Sequence, residues 1–153
     1  MLFLKRNEDY STIYNFVKEN SFNSYWYKII ETAKDEENYS GDLYTIYNEN
    51  EIVGCVEIFS GVEDLYVSMI EISNKYNQLG TKTIKALFDL YDDTEIITGE
   101  SLPQAIEFWY KIGASFDCDE EHLSLDELLN FEMSLSFSLN KEDFLKYSKS
   151  EVI

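Results

Sequence analysis

A short polar segment near the middle of the chain has residue types that can bind an anion. It consists of Asn77, Gln78, Leu79, Gly80, Thr81 and Lys82. A helix that begins in this segment points unpaired backbone N–H groups, and the positive end of its dipole, at whatever occupies the mouth of the loop. The segment therefore predicts a site for an anion such as a phosphate group.

The residues on either side indicate a strand and a helix that position this segment. Met69, Ile70 and Ile72 form an apolar run that predicts a buried strand. After the segment, apolar residues recur at helical spacing and give the next element one apolar face, through Ile84, Leu87, Phe88 and Tyr91.

This strand, loop and helix resemble the acyl-CoA-binding motif of the GCN5-related N-acetyltransferases, the GNAT family. In that motif an Arg/Gln-x-x-Gly-x-Gly/Ala loop holds the CoA pyrophosphate. Residues 80–82 (Gly-Thr-Lys) match its second half, whereas Lys75 stands at the Arg/Gln position and Gln78 replaces the first glycine. The loop thus has one glycine fewer with which its backbone can approach a phosphate closely. An ordinary strand-loop-helix unit of an α/β domain is the alternative interpretation.

Two further stretches resemble the same family in the same order. Residues 52–54 (Ile-Val-Gly) open the second strand of a predicted hairpin, as in the family's central hairpin. A later stretch matches the pattern Ala-Ile-x-Phe/Leu-Tyr/Trp-x-Lys-x-Gly at Ala105, Ile106, Phe108, Trp109, Lys111 and Gly113. The resemblance spans about residues 43–116. It implies that acetyl-CoA is the co-substrate and that its acetyl group is transferred to a primary amine.

The resemblance also implies roles for particular residues. Backbone N–H groups around Ile70 and Ile72 would polarise the thioester carbonyl. The cofactor itself would be held by Gln78, Leu79, Gly80, Thr81 and Lys82. Glu71, or Glu57 on the preceding strand, would take the acceptor's proton. Each of these glutamates has a structural alternative, because most strand glutamates are solvated or ion-paired.

The general acid departs from the family pattern. The family often uses a tyrosine at the position that Trp109 occupies here, and an indole is no acid at working pH. Tyr110 is the candidate acid, although it lies about 100° further round the helix. The alternative is that Tyr110 packs its ring and exposes its hydroxyl. Tyr25, Trp26 and Tyr27 are core residues by type, and the resemblance implies that they line the acceptor site.

The order of elements predicts an α+β fold, a three-layer arrangement with a mixed, mostly antiparallel sheet flanked by helices, in a single GNAT-like domain over residues 1–153. Strands are expected at 2–5, 42–47, 52–60, 95–98, 114–116 and 131–139, besides the strand that ends near residue 73. Helices are expected at 24–35 and after the caps Asp9 or Ser11, Ser124 and Asn140. The strands ending near Ser73 and Thr98 should be parallel neighbours that splay apart at the loop end.

Charge limits the partners. Twelve basic and thirty acidic residues give a net charge of −18, which disfavours nucleic acid and anionic membranes and favours a cationic amine, on a small molecule or a protein. Two other classes stay open. One is a divergent fold of this family that acts as an acidic interaction module without catalysis, and the other is a nucleic-acid mimic.

Cysteine spacing and hydropathy exclude other classes. Cys55 and Cys118 form no metal or disulfide pattern, and His122, the single histidine, lies outside the motifs. We therefore expect no metal site. No apolar run reaches the length of a membrane span and no signal peptide is evident, so the expected location is the cytoplasm. The oligomeric state, monomer or homodimer, stays open.

Overall fold

The computed structural model describes residues 1–73, 77–117 and 123–150. These residues form two compact units. The first contains Met1–Ser60 and Ser68–Leu90, and the second contains Gly61–Val67 and the chain from Tyr91 onward. Strand β4 contributes to both. In the described ranges, no helix combines the length and the apolar character needed to cross a membrane.

The first unit pairs two N-terminal helices with an antiparallel sheet. Its elements are β1 (Leu2–Arg6), α1 (Tyr10–Glu19), α2 (Tyr25–Ala33), β2 (Asp42–Asn48), β3 (Glu51–Ser60) and α3 (Asn77–Leu90). The unit also contains the part of β4 that begins at Ser68, whereas the whole strand is Asp64–Ile72. The Asp9 side chain accepts a hydrogen bond from the Ser11 backbone N–H and caps α1, as predicted. Strands β1, β2 and β3 pair antiparallel, which confirms the predicted hairpin.

The core of the first unit joins α1 and α2 to the sheet. Its buried members are Ile13, Val17, Phe22, Trp26, Ile29, Ile30, Ala33, Leu43 and Cys55. On α3 the predicted apolar positions Ile84, Leu87 and Phe88 are buried as well. Burying these side chains is the main driving force for folding, at roughly 25 cal/mol per Å² of apolar surface.

Strands β3 and β4 approach closely at Gly54. The Ser73 backbone N–H donates to the Val53 carbonyl at 2.6 Å, and a Cβ added to Gly54 would lie 2.3 Å from the Glu71 carbonyl oxygen and 3.0 Å from Ile72 Cα. Both contacts are with backbone, which cannot rotate away. Gly54 therefore allows β4 to lie where it does.

We expect Gly54→Ala to lower the free energy of unfolding by about 1 to 3 kcal/mol, the usual cost of forcing extra atoms into a packed site. Gly61→Ala is the matched control, because its added Cβ would meet mainly the movable Asp64 carboxylate, at 2.2 Å. Urea unfolding of both variants measures the difference. Equal losses at the two positions would contradict the close approach as the cause.

The second unit is built around the other half of the sheet. Its elements are the first half of β4, β5 (Ile96–Ser101), a 3-10 turn (Pro103–Ala105), α4 (Ile106–Lys111), β6 (Ser115–Phe116), α5 (Leu125–Leu129), β7 (Leu135–Asn140) and α6 (Lys141–Ser150). The predicted capping box is present, since Ser124 and Glu127 bond each other's backbone N–H. Trp109 stacks on Phe137 with ring centroids 4.0 Å apart.

Hydrogen bonds join the strands in the order β1-β2-β3-β4-β5-β7-β6. The pairing of β4 with β5 is parallel, with Asp64–Val67 against Ile96–Gly99. The predicted parallel neighbours are therefore confirmed, as is the α+β class with a mixed, mostly antiparallel sheet. Strand β7 pairs antiparallel with both β5 and β6, so it lies between them and β6 is the edge strand. The splaying of the loop end stays a prediction, and so does the single domain.

Two predicted strand boundaries were wrong. Strand β7 begins at Leu135 rather than residue 131, because Glu132 has φ 53°, in the left-handed region that interrupts an extended chain. Phe131 and Met133 are accordingly exposed. Strand β5 runs from Ile96 to Ser101 rather than from 95 to 98, because Glu100 and Ser101 pair with β7.

Candidate functional site

Glu71 lies near the end of β4 and is held by the start of α2. The Trp26 indole N–H donates to Glu71 Oε1 at 2.9 Å, and the Asn23 backbone N–H donates to the same oxygen at 3.1 Å. Among the described residues, no hydrogen bond reaches Glu71 Oε2. The side chain is partly exposed. One carboxylate oxygen is thus held by two N–H donors.

Glu57 lies on the neighbouring strand in a different environment. Tyr39 donates its hydroxyl to Glu57 Oε2 and Ser68 donates its hydroxyl to Glu57 Oε1, both at 2.7 Å. The residue is 5% exposed. Burial, followed by the hydrogen bond to Glu57, raises the pKa of Tyr39, so this hydroxyl keeps its proton and remains the donor. Both oxygens of Glu57 are therefore engaged.

Cys55 belongs to the same buried face, and its thiol is not poised for chemistry. Burial, and secondarily the charge of Glu71, raises the pKa of the Cys55 thiol to about 12. A thiol with so high a pKa supplies almost no thiolate near neutral pH, so Cys55 is no nucleophile. Cys118 lies outside the described residues.

The raised pKa of Cys55 predicts a loss of stability at alkaline pH. An unfolded thiol ionises near pH 8.5, whereas the folded one keeps its proton up to about pH 12. The stabilisation is full below pH 8.5 and is lost as pH rises toward 12, by about 5 kcal/mol in total. Denaturant unfolding of wild type and of Cys55→Val between pH 8 and pH 11 measures this, since only the wild type should lose the contribution. Parallel stability curves would contradict it.

Helix α3 begins at Asn77, at the start of the predicted anion-binding segment. Leu79 lies in its first turn, where N–H groups have no partner within the helix. The N–H groups of Thr81 and Lys82 lie further along, four residues after Asn77 and Gln78, so helical bonding uses them. The Leu79 and Thr81 side chains are buried. Lys75 and the Gln78 side chain lie outside what the structure describes.

Ile70 and Ile72 are both on β4 and partly buried, on either side of Glu71. The first unit therefore contains Ile70, Ile72, both candidate bases and the start of α3. Tyr110 is in the second unit, on α4, and is 38% exposed, whereas its neighbour Trp109 is 3% exposed in the stack on Phe137. Trp109 is a packing residue. His122 lies outside the described residues.

The sequence did not reveal the partners of the two glutamates. The sequence predicts Trp26 as a core residue that lines the acceptor site, and nothing in the sequence indicates its hydrogen bond to Glu71. Tyr39 and Ser68 had no assigned role. One signal was present, because a buried indole N–H usually requires an acceptor. The sequence does not identify that acceptor, because Glu71 is 45 residues away from Trp26.

No protein-family model matches the sequence, and no curated protein matches it in sequence. Solved structures do match the fold. The Campylobacter jejuni N-acetyltransferase PseH with acetyl coenzyme A matches at TM-score 0.64 and 11% identity, over 92% of this chain and 99% of PseH. A mutant form of the Vibrio cholerae spermidine/spermine N-acetyltransferase SpeG matches at 0.63 and 16%, over 98% of each chain.

A third match is FdhC, a nucleotide-linked sugar GNAT, at TM-score 0.66 and 12% identity, over 97% of this chain and 92% of FdhC. In each case nearly the whole of both chains is covered, while the identity is low. This chain therefore has the mixed-sheet fold of the GNAT acyl-CoA N-acyltransferases.

Proposed function

We propose that this protein is an N-acetyltransferase that transfers the acetyl group of acetyl-CoA to a primary amine of a cationic acceptor. The observation that carries the proposal is Glu71. Its carboxylate lies near the end of β4, directly before α3, with Oε1 held by two donors and Oε2 without a hydrogen bond among the described residues. That arrangement suits a base that must meet an incoming ammonium.

The proposed reaction has one bond formed and one broken. The amine nitrogen attacks the thioester carbonyl carbon, backbone N–H groups near Ile70 and Ile72 stabilise the oxyanion, and the C–S bond then breaks. Glu71 takes one proton from the acceptor ammonium, which leaves the neutral amine that attacks. The second proton that the nitrogen loses passes to water, and water protonates the departing thiolate. Acetyl-CoA supplies the acetyl group, and the α3 N-terminus with Gly80 would hold its pyrophosphate.

Glu71 is a better candidate base than Glu57. Glu57 is buried and accepts a hydroxyl hydrogen bond on each oxygen, so an incoming ammonium could reach it only if the residues around it moved. Glu71 is partly exposed and needs no such rearrangement. We assign Glu57 a structural role, in which it links β3 to Tyr39 and Ser68.

The acceptor is proposed to be cationic because of the charge of the whole chain. A net charge of −18 raises the local concentration of cations and repels anions. The matched SpeG acetylates spermidine or spermine by its name, so a related fold already serves polycationic amines. The low identity leaves the particular amine to experiment.

An amine panel tests the proposal. The protein is incubated with acetyl-CoA and spermidine, a neutral amine or an amino-dicarboxylate, and released CoA thiol is measured. Spermidine should react fastest, with a rate that falls as salt screens the field over a Debye length of about 8 Å at physiological ionic strength. If none of the amines leads to release of CoA thiol, the proposed enzymatic activity is wrong and the interaction module is favoured. A preference for the anionic amine would overturn the cationic acceptor alone.

A further inference from the structure

Trp26 contacts the proposed base through its one polar atom. The indole is 0% exposed and is packed in the core with Ile29 and Ile30, yet its N–H donates to Glu71 Oε1 at 2.9 Å. We propose that Trp26 is a positioning residue that fixes the orientation of the Glu71 carboxylate for proton transfer. This inference rests on the proposed acetyl transfer.

The chemistry of the two donors determines where a proton can go. An indole N–H and a backbone N–H donate but never accept hydrogen bonds. Both Trp26 and Asn23 direct these groups at Oε1, so Oε1 must remain an acceptor whether Glu71 is ionised or protonated. A proton taken from the acceptor ammonium therefore goes to Oε2, the oxygen that no described residue bonds.

The donors come from one short, internally bonded segment. The Asn23 side chain accepts from the Tyr25 backbone N–H at 2.8 Å, and the Trp26 backbone N–H donates to the Asn23 carbonyl at 3.1 Å. These bonds hold Asn23 and Trp26 in a fixed relation at the start of α2. A glutamate on a partly exposed strand would otherwise sample several rotamers. Holding it in one orientation favours reaction, because the base is already aligned when substrate binds.

A purely structural role would also explain the bond, since a buried indole N–H needs an acceptor. The two roles differ in what they change. A structural bond affects stability, and its loss lowers activity by the same factor whether or not residue 71 can take a proton. A positioning bond affects turnover only while a carboxylate is present.

A double-mutant cycle separates these roles. Trp26→Phe is measured alone and in a Glu71→Gln background. Trp109→Phe is the control, because it also removes a buried indole but one that does not contact Glu71. We expect Trp26→Phe alone to lower kcat about 10-fold or more, the size expected for one hydrogen bond to a charged group. The KM for acetyl-CoA should stay unchanged. In the Glu71→Gln background the same change should have no further effect on kcat.

A second variant keeps the test independent of folding. If Trp26→Phe does not fold, a benzothienyl analogue of tryptophan, incorporated in a Trp109→Phe background, replaces only the N–H by sulfur. It should show the same loss of kcat. If the two losses of kcat multiply in the cycle, or if the analogue is fully active, Trp26 has no positioning role. The proposed function would still stand, provided that the wild type is active. A wild type inactive toward every amine would overturn both.

Discussion

Replacement of Glu71 by glutamine is expected to lower turnover about 100-fold, within the usual range for loss of a general base. Glutamine has the same shape as glutamate. Its amide oxygen can still accept from Trp26 and Asn23, while its NH₂ group takes the place of Oε2. The variant should therefore keep its fold and its acetyl-CoA affinity and lose only the ability to take a proton.

Steady-state kinetics with spermidine measure this effect, and two matched variants interpret it. Glu57→Gln should cost stability, because it alters a buried pair of hydroxyl bonds, but it should affect turnover much less. Tyr110→Phe should also lower turnover less than Glu71→Gln, because a thiolate can leave without an acid. Full activity in Glu71→Gln would remove Glu71 as the base.

Gly80→Val is expected to weaken acetyl-CoA binding by roughly 100-fold, as a bulky group at a packed contact costs about 1 to 3 kcal/mol. Gly80 is the fourth residue of α3, in the turn whose N–H groups we propose to face the pyrophosphate. A glycine there lets a phosphate approach the backbone, and a β-branched side chain would occupy that space.

Gly80→Ala is the control for this prediction. Alanine and valine both have a higher helix propensity than glycine, so neither variant should destabilise α3. Alanine adds one carbon and should cost less affinity than valine. Calorimetric titration of acetyl-CoA into each folded variant gives the comparison. Unchanged affinity in Gly80→Val would mean that the cofactor does not approach this turn.

The sequence predicted those parts of the fold that depend on local signals. The cap at Asp9 and the capping box of Ser124 and Glu127 involve residues two or three apart, so both could be identified from spacing. Glycine is common just after a helix, and Gly113 follows α4 with φ 107°. The β2–β3 hairpin was equally local.

Features that depend on distant partners could not be predicted. Strand β5 continues through Gly99 and Glu100, which are weak strand formers, because both pair with β7. The alternation that suggested a longer β7 was interrupted at Glu132 by a backbone conformation that its residue type does not indicate. The bonds of Trp26 to Glu71 and of Tyr39 to Glu57 likewise join residues 45 and 18 positions apart.

The most direct test of the central claim is a calorimetric titration of acetyl-CoA into the wild-type protein, at several salt concentrations and below pH 8.5, where Cys55 costs no stability. The account predicts saturable binding at one site per chain, with an affinity that depends on salt because a phosphate is held partly by charge. Absence of heat and of any thermal stabilisation at millimolar acetyl-CoA would contradict it, and would leave a protein with this fold that does not use the cofactor.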